Sequence, residues 1–304
     1  MSLAAIKRSA SAPSIRDYEA SSLRRAPASG YGKVLADDGA PLVSIVTVVF
    51  NAEKTLEHTI QSVLEQTYVR IEYIIIDGSS TDGSPGIIRK YESRIAYWVS
   101  EPDKGISDAF NKGIAAARGD IIGILNADDW YEKDAVALAV EKIGSSGADI
   151  VYGMIQWWDN DKPAEKVSAD HELLDREMSL NHPSVFARRA AYEQIGLYRT
   201  DFLYAMDYEW LLRAKKAGLT FAAIPQCIAN MRLEGVSNNH WRRALKEESL
   251  AKSLDSRGIG PIIFYYYKTA KGFTRRLLER TGMKVLVRLF HSHISSVKKT
   301  RAGR

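Results

Sequence analysis

The sequence predicts an α/β protein built on a mostly parallel open sheet with helices on both faces. Three observations predict it. Apolar, β-branched runs of strand length alternate with stretches of helical periodicity. Successive runs begin about 25 residues apart, the spacing of strand–helix–strand units. The runs also lack a regular polar face, as parallel strands covered on both sides do.

The elements follow in order. Ser44–Val49 reads as the first buried strand, ended by Asn51. Leu56, Ile60, Val63 and Leu64 recur at helical spacing and predict a helix over Glu53–Gln66. Ile71–Ile76 is the second strand, stopped by Asp77-Gly78, and Ser84–Tyr91 a short helix. Ile95–Val99 and Ile121–Leu125 are the third and fourth strands, each followed by a helix, at Ser107–Ala117 and Lys133–Ile143. After Val151–Ile155 the rhythm loosens, and Gln156–Arg176 reads as a loop or irregular hairpin. Asp207–Ala217 is helical, Phe221–Ile228 a late strand, and the chain from His240 onward is helical and basic. Residues 1–40, rich in Ala and Ser without periodicity, are expected to be a disordered arm. The expected division is therefore an arm at 1–40, an α/β domain at 41–239 and a basic helical extension at 240–304.

Composition narrows the function. With 45% hydrophobic and 26% charged residues, the 304-residue chain is neither fibrous nor mostly disordered. Its one cysteine, Cys227, excludes a disulfide scaffold and a cysteine-ligated zinc or iron–sulfur centre, and points to a reducing compartment. No apolar run approaches the roughly 20 residues that span a bilayer. The expectation is a cytoplasmic protein, soluble or peripheral on the inner face of the cytoplasmic membrane. The net charge of +5 conceals an asymmetry. Residues 257–304 hold twelve Lys/Arg and one acid, Glu279, hence +11 against −6 for the remainder. Arg276, Arg280, Lys284 and Arg288 lie beside Leu278, Val285, Leu286, Leu289 and Phe290, an amphipathic pattern suited either to an anionic bilayer or to packing on the domain.

Open parallel sheets bind ligands beyond the carboxyl ends of their strands. Those positions hold Phe50-Asn51-Ala52-Glu53, Asp77 to Gly83, Ser100 to Gly105 and Asn126-Ala127-Asp128-Asp129. Taken singly, Asp77-Gly78 is a turn, Asp128-Asp129 a helix cap and Asp207 a charge complementing a helix dipole. Together they crowd carboxylates on one rim, which favours a divalent cation; oxygen ligands suit magnesium or manganese. No dinucleotide fingerprint, P-loop, zinc-protease helix or nucleophile elbow is present.

These segments, in this order, resemble the family-2 glycosyltransferases over about residues 42–235, in the branch acting in bacterial surface-polysaccharide assembly. Val43 to Glu53 is similar to the family's opening strand and donor loop, and Asp77 to Gly83 to its base loop. Glu101-Pro102-Asp103-Lys104-Gly105-Ile106-Ser107-Asp108-Ala109-Phe110-Asn111-Lys112-Gly113 resembles the branch signature, and Leu125 to Tyr131 the metal motif. The resemblance implies a GT-A fold, a nucleotide-sugar donor, a glycan or polyprenyl-linked acceptor, Mg2+ or Mn2+, and inversion at the anomeric carbon. It implies that Asp77 contacts the base, Glu53 lines the nucleotide pocket and Asp128 holds the metal. Asn126, where Asp is usual, would meet the ribose or a metal-bound water. His182, in Asn181 to Phe186, would face the diphosphate or serve as a structural loop histidine. Asp207 would be the catalytic base. Two alternatives stand beside this reading. A sugar-phosphate nucleotidyltransferase would need a Gly-rich basic loop where Phe50 to Glu53 stands. A nucleic-acid binder would stack bases on Trp241 and Tyr265–Tyr267, but no known nucleic-acid module is present, so none is expected to bind.

Overall fold

The computed structural model describes residues 12–19, 39–159, 161–233, 240–254, 259–280 and 299–301. The sheet is centred on β1 (Val43–Val49), whose seven residues are all buried. Parallel neighbours flank it: β2 (Ile71–Asp77), then β3 (Tyr97–Ser100), on one side, and β4 (Ile121–Asn126) on the other. Register aligns their carboxyl ends, pairing Val49 with Asp77, Asp77 with Ser100 and Val48 with Asn126. The loops carrying the chemistry therefore leave the sheet on one edge.

Two apolar layers cover the sheet, because alternate residues of each strand point to opposite faces. Ile45, Tyr73 and Ile75 pack with Leu56 and Ile60 of α2 (Leu56–Leu64). Val46, Ile74 and Ile76 pack with Phe110 and Ile114 of α4 (Ile106–Ala116), α3 being Ser84–Lys90. At Gly113, α4 lies so close to the sheet that any Cβ would clash with Val46 Cγ1.

Beyond β4 the sheet turns antiparallel. β5 (Trp130–Tyr131) and α5 (Ala135–Ser146) precede the long β6 (Ile150–Asp159), which forms a hairpin with β7 (Lys162–Val167). β8 (Val185–Arg188) joins β4 to β6, antiparallel to both. α6 (Arg189–Ile195) and α7 (Met206–Lys216) follow, and β9 (Phe221–Arg232) runs parallel to β6 and antiparallel to β5. Residues 156–176 resolve into the hairpin, with a register shift between Gln156 and Trp158, and a 3-10 turn at His171–Asp175. The parallel part is thus β3-β2-β1-β4, and β8 is the antiparallel wedge joining it to the second half.

Within the amino-terminal arm, α1 (Ile15–Glu19) is docked on α4. Ile15 is buried, Tyr18 donates to Asp108 at 2.7 Å, and the Leu197 N–H donates to the Pro13 carbonyl at 2.8 Å. The rest of the arm lies outside the described residues. After β9 come α8 (Trp241–Ser253) and α9 (Gly260–Arg280), and residues 299–301 add β10 to the edge of β7. Trp241 of α8 packs its ring against α9, where a Cβ at Gly272 would meet it at 2.9 Å. The amphipathic pattern at 276–290 lies outside the described side chains.

Candidate active site

The rim at the ends of β1 and β2 is two loops laced together. The Asn51 N–H donates to Ser80 Oγ at 2.8 Å, and the Thr81 N–H to Asn51 Oδ1 at 2.8 Å. Ala52 donates to Ser84 Oγ, and Glu53 to Asp82 Oδ2. Asn51 and Ser79 hold left-handed conformations, φ +50° and +62°, rare for non-glycine residues and common at functional turns. Glu53 is exposed on this rim, and its Oε2 accepts the Gly83 N–H at 2.8 Å.

Asp77 sits beneath the rim, fully buried. Its carboxylate accepts the hydroxyls of Ser80 and Ser100 and the Ser80 N–H. Asp77 thus shapes the 77–83 loop from below. Two residues read only as parts of loops stand over it. Phe50 is 67% exposed, and Asp103 closes over Gly78, where any Cβ would collide with Asp103 Oδ2 and lie 3.5 Å from Phe50. The glycine after Asp77 is what admits the Asp103 carboxylate to the edge.

α4 holds that turn in place and reaches the other half of the site. Lys112 pairs with Glu101 at 2.7 Å and donates to the Pro102 carbonyl at 2.9 Å. Asp108 accepts the Lys104 N–H, and Asp103 the Gly105 N–H. One turn on, Asn111 bonds both N–H and C=O of Tyr198, and Ser107 bonds the Phe202 carbonyl. The long motif of residues 101–113 is thus a strut. It ties the rim at the ends of β1 and β2 to the loop that delivers α7.

Asn126, Asp128 and Asp129 follow one another at the end of β4, and Asp129 approaches the same imidazole, that of His182, as Asp207 does. His182 Nδ1 lies 3.6 Å from Asp207 Oδ2, and its Nε2 lies 4.0 Å from Asp129 Oδ2. The imidazole thus lies between two carboxylates. Burial pushes the Asp128 carboxyl up, against its backbone N–H and the attraction of His182 and Arg232. Burial and the neighbouring Asp128 charge hold Asp129 well above the usual carboxylate range. Asp129 is 1% exposed, deeper than its place beside Asp128 suggests.

Asn126 Oδ1, Asp129 Oδ2 and His182 Nε2 are buried without a hydrogen-bond partner. Buried orphan atoms in a native protein mark a place for water, an ion or a ligand group. Among the described residues, no group of three or more His, Cys, Asp and Glu converges as an all-protein metal cage does. One carboxylate flanked by polar oxygens fits a cation that completes its shell on phosphates.

Asp207 is held from a distance. It opens α7, where its Oδ1 accepts the Tyr208 N–H. Glu247 of α8 accepts the N–H groups of Leu203, Tyr204 and Ala205 at 3.0, 2.7 and 2.9 Å, tying down the approach to that helix. No local signal marks this contact, because its partners are more than forty residues apart. Beside it, burial raises the Glu248 carboxyl to about 7, opposed by Lys268 and reinforced by Asp207. Below pH 4.5, Glu248 is protonated in the folded and unfolded chain alike. Between there and about 7, only the unfolded chain releases the proton, so stability falls as pH rises through this window. Glu248→Gln is therefore expected to raise the Tm at pH 8, by roughly 2–4 °C, and to leave it unchanged at pH 4. Melting curves of both forms at the two pH values check this.

The family described as glycosyl transferase family 2 matches residues 44–206. An uncharacterized glycosyltransferase of Mycobacterium tuberculosis is 36% identical over 181 residues, 58% of this chain and 69% of that protein. The putative teichuronic acid biosynthesis glycosyltransferase TuaG of Bacillus subtilis is 27% identical over 247 residues, 78% and 98% of the two chains. Among solved structures, the mannosyltransferase PcManGT of Pyrobaculum calidifontis with GDP-Man and Mn2+ superposes with a TM-score of 0.58 at 19% identity, covering 84% of this chain and 74% of its own. S. aureus TarS with UDP-GlcNAc gives 0.57 at 14% identity, covering 71% and 68%. These likenesses show the fold, which is of the GT-A type expected from the sequence.

Proposed function

The chain belongs to glycosyl transferase family 2, and from that premise we propose that it moves a sugar, with inversion, from a nucleoside-diphosphate donor to a hydroxyl of a glycan or polyprenyl-linked acceptor. The observation that carries this reading is the approach of Asp207 and the Asp128–Asp129 loop to opposite sides of His182. The names of relatives in teichuronic acid and PGL/p-HBAD biosynthesis support a role in bacterial surface-glycan assembly. They favour sugar transfer over nucleotidyl transfer.

Phe50, Asp103 and Glu53 form the rim against which the nucleotide lies, with Asp77 setting the loop from below. Asp128 is the residue to hold Mg2+ or Mn2+, with Asn126 beside it. When bound, the cation supplies charge neutralisation for the departing diphosphate. Asp207 takes the proton of the acceptor hydroxyl. His182 keeps Asp207 and Asp129 apart and oriented. The division into an arm (1–40), a transfer domain (41–239) and a basic extension (240–304) serves this reading, with Glu247 of the extension bracing the Asp207 helix. We further place the protein on the inner face of the cytoplasmic membrane. The +11 charge of residues 257–304 supports this, and among the described residues no helix is long and apolar enough to cross.

A panel of nucleotide sugars scored by thermal shift, with and without Mg2+ or Mn2+, tests the reading. One donor and its free nucleoside diphosphate should stabilise the protein in the presence of metal, by about 2.7 kcal/mol at a hundredfold excess over Kd. If no member shifts the Tm at millimolar concentration with metal present, the donor assignment fails.

A further inference from the structure

α9 is mounted with its apolar side outward. Its inner side carries the contacts to the domain. Pro261 is buried and its carbonyl accepts the Ser249 hydroxyl at 2.6 Å, Phe264 lies under Lys252, Lys268 pairs with Glu177, and Gly272 abuts Trp241. The opposite side carries Ile262, Ile263, Tyr266, Tyr267 and Phe273, which with Ile259 just before the helix are 54–71% exposed. At 100° per residue these six positions fall within about 140° of arc, centred opposite the inner contacts. A helix that stabilises a core would be turned the other way, and an apolar stripe left exposed marks a surface that meets something apolar.

We propose that this face of α9 is the surface on which the protein lies on an anionic lipid bilayer. The inference rests on the peripheral-membrane reading above and names the residues that perform it. Charge selects the occupant. Residues 257–304 carry twelve basic residues and one acid, whereas the rest of the chain is net acidic. A second copy would bring two such cationic segments together, while an anionic headgroup layer neutralises them. Tyr266 and Tyr267 combine an apolar ring with a polar tip, the side chain favoured at the headgroup boundary. The stripe is about 21 Å long at 1.5 Å per residue, shorter than a bilayer core, so the helix lies in the interface.

The test is co-sedimentation of the full chain with phosphatidylcholine vesicles, with and without phosphatidylglycerol, comparing the wild type with Ile263→Glu/Tyr266→Glu. The wild type should partition onto the anionic vesicles only, and the variant should bind about tenfold more weakly or worse. Its Tm should stay unchanged, since both side chains are exposed, and so should its stabilisation by donor nucleotide. Equal binding by both forms would overturn the assignment of this face and leave membrane attachment to the residues that follow it. Failure of the wild type to bind anionic vesicles would overturn the membrane reading itself and this inference with it. If the wild type self-associates in sedimentation velocity and the variant does not, with vesicle binding unchanged, the occupant is a second copy and the proposal is wrong.

Discussion

Asp207→Asn is expected to lower transfer by roughly 10²–10⁴-fold, the usual worth of a positioned general base, while leaving donor binding near the wild-type value. The substitution keeps the shape and the hydrogen bond from the Tyr208 N–H but removes the proton acceptor. Asp207 faces His182 from the side opposite Asp129, so its loss does not disturb the residues assigned to the diphosphate. The measurement pairs steady-state transfer with nucleotide titration. A parallel loss of affinity and turnover would mean that Asp207 binds the donor. Glu247→Gln offers a useful contrast. It acts only by tying the 203–205 N–H groups, so it should weaken transfer less than Asp207→Asn.

Asp128→Asn is expected to remove the metal-dependent part of nucleoside-diphosphate stabilisation and to reduce transfer by about 10²–10³-fold, the scale of losing one group that stabilises developing charge. Asp128 is the half-buried carboxylate nearest the orphan atoms of Asn126 and Asp129 in sequence, and its burial costs free energy that a bound cation would offset. Thermal shifts with nucleoside diphosphate, with and without Mn2+, separate this from a general loss of fold. The metal increment should vanish while the metal-free melt stays close to the wild type. An unchanged metal increment would move the site elsewhere on the rim.

The parallel half of the sheet was legible in the sequence because β1, β2 and β4 are buried on both faces and read as continuous apolar runs. Their ends follow from the same runs, so Asp77 and Asn126 close β2 and β4, with Asp128 just beyond, on one edge of the sheet as the runs imply. What escaped depends on contacts distant in sequence. β8 has four residues and β5 two, too few for a period to register. α1 lies in a segment of arm-like composition and takes its place through Tyr18 and Ile15 against α4. Asp103 acquires its position from a missing side chain at Gly78, and Glu247 from a loop over forty residues away. In the tail, periodicity marks residues 276–290, whose side chains lie outside the described ones, while the exposed apolar face of α9 precedes them and is distinguished from the inner side only by how the helix is mounted.

The most direct test of the central claim, that Asp207 drives a single displacement against a donor held at Asp128, is the anomeric configuration of the first-formed product. Proton NMR of the transferred sugar, compared with its donor, reads it without further assumption. Inversion is the expected result. Retention would contradict a one-step attack by a deprotonated acceptor and require a different role for Asp207.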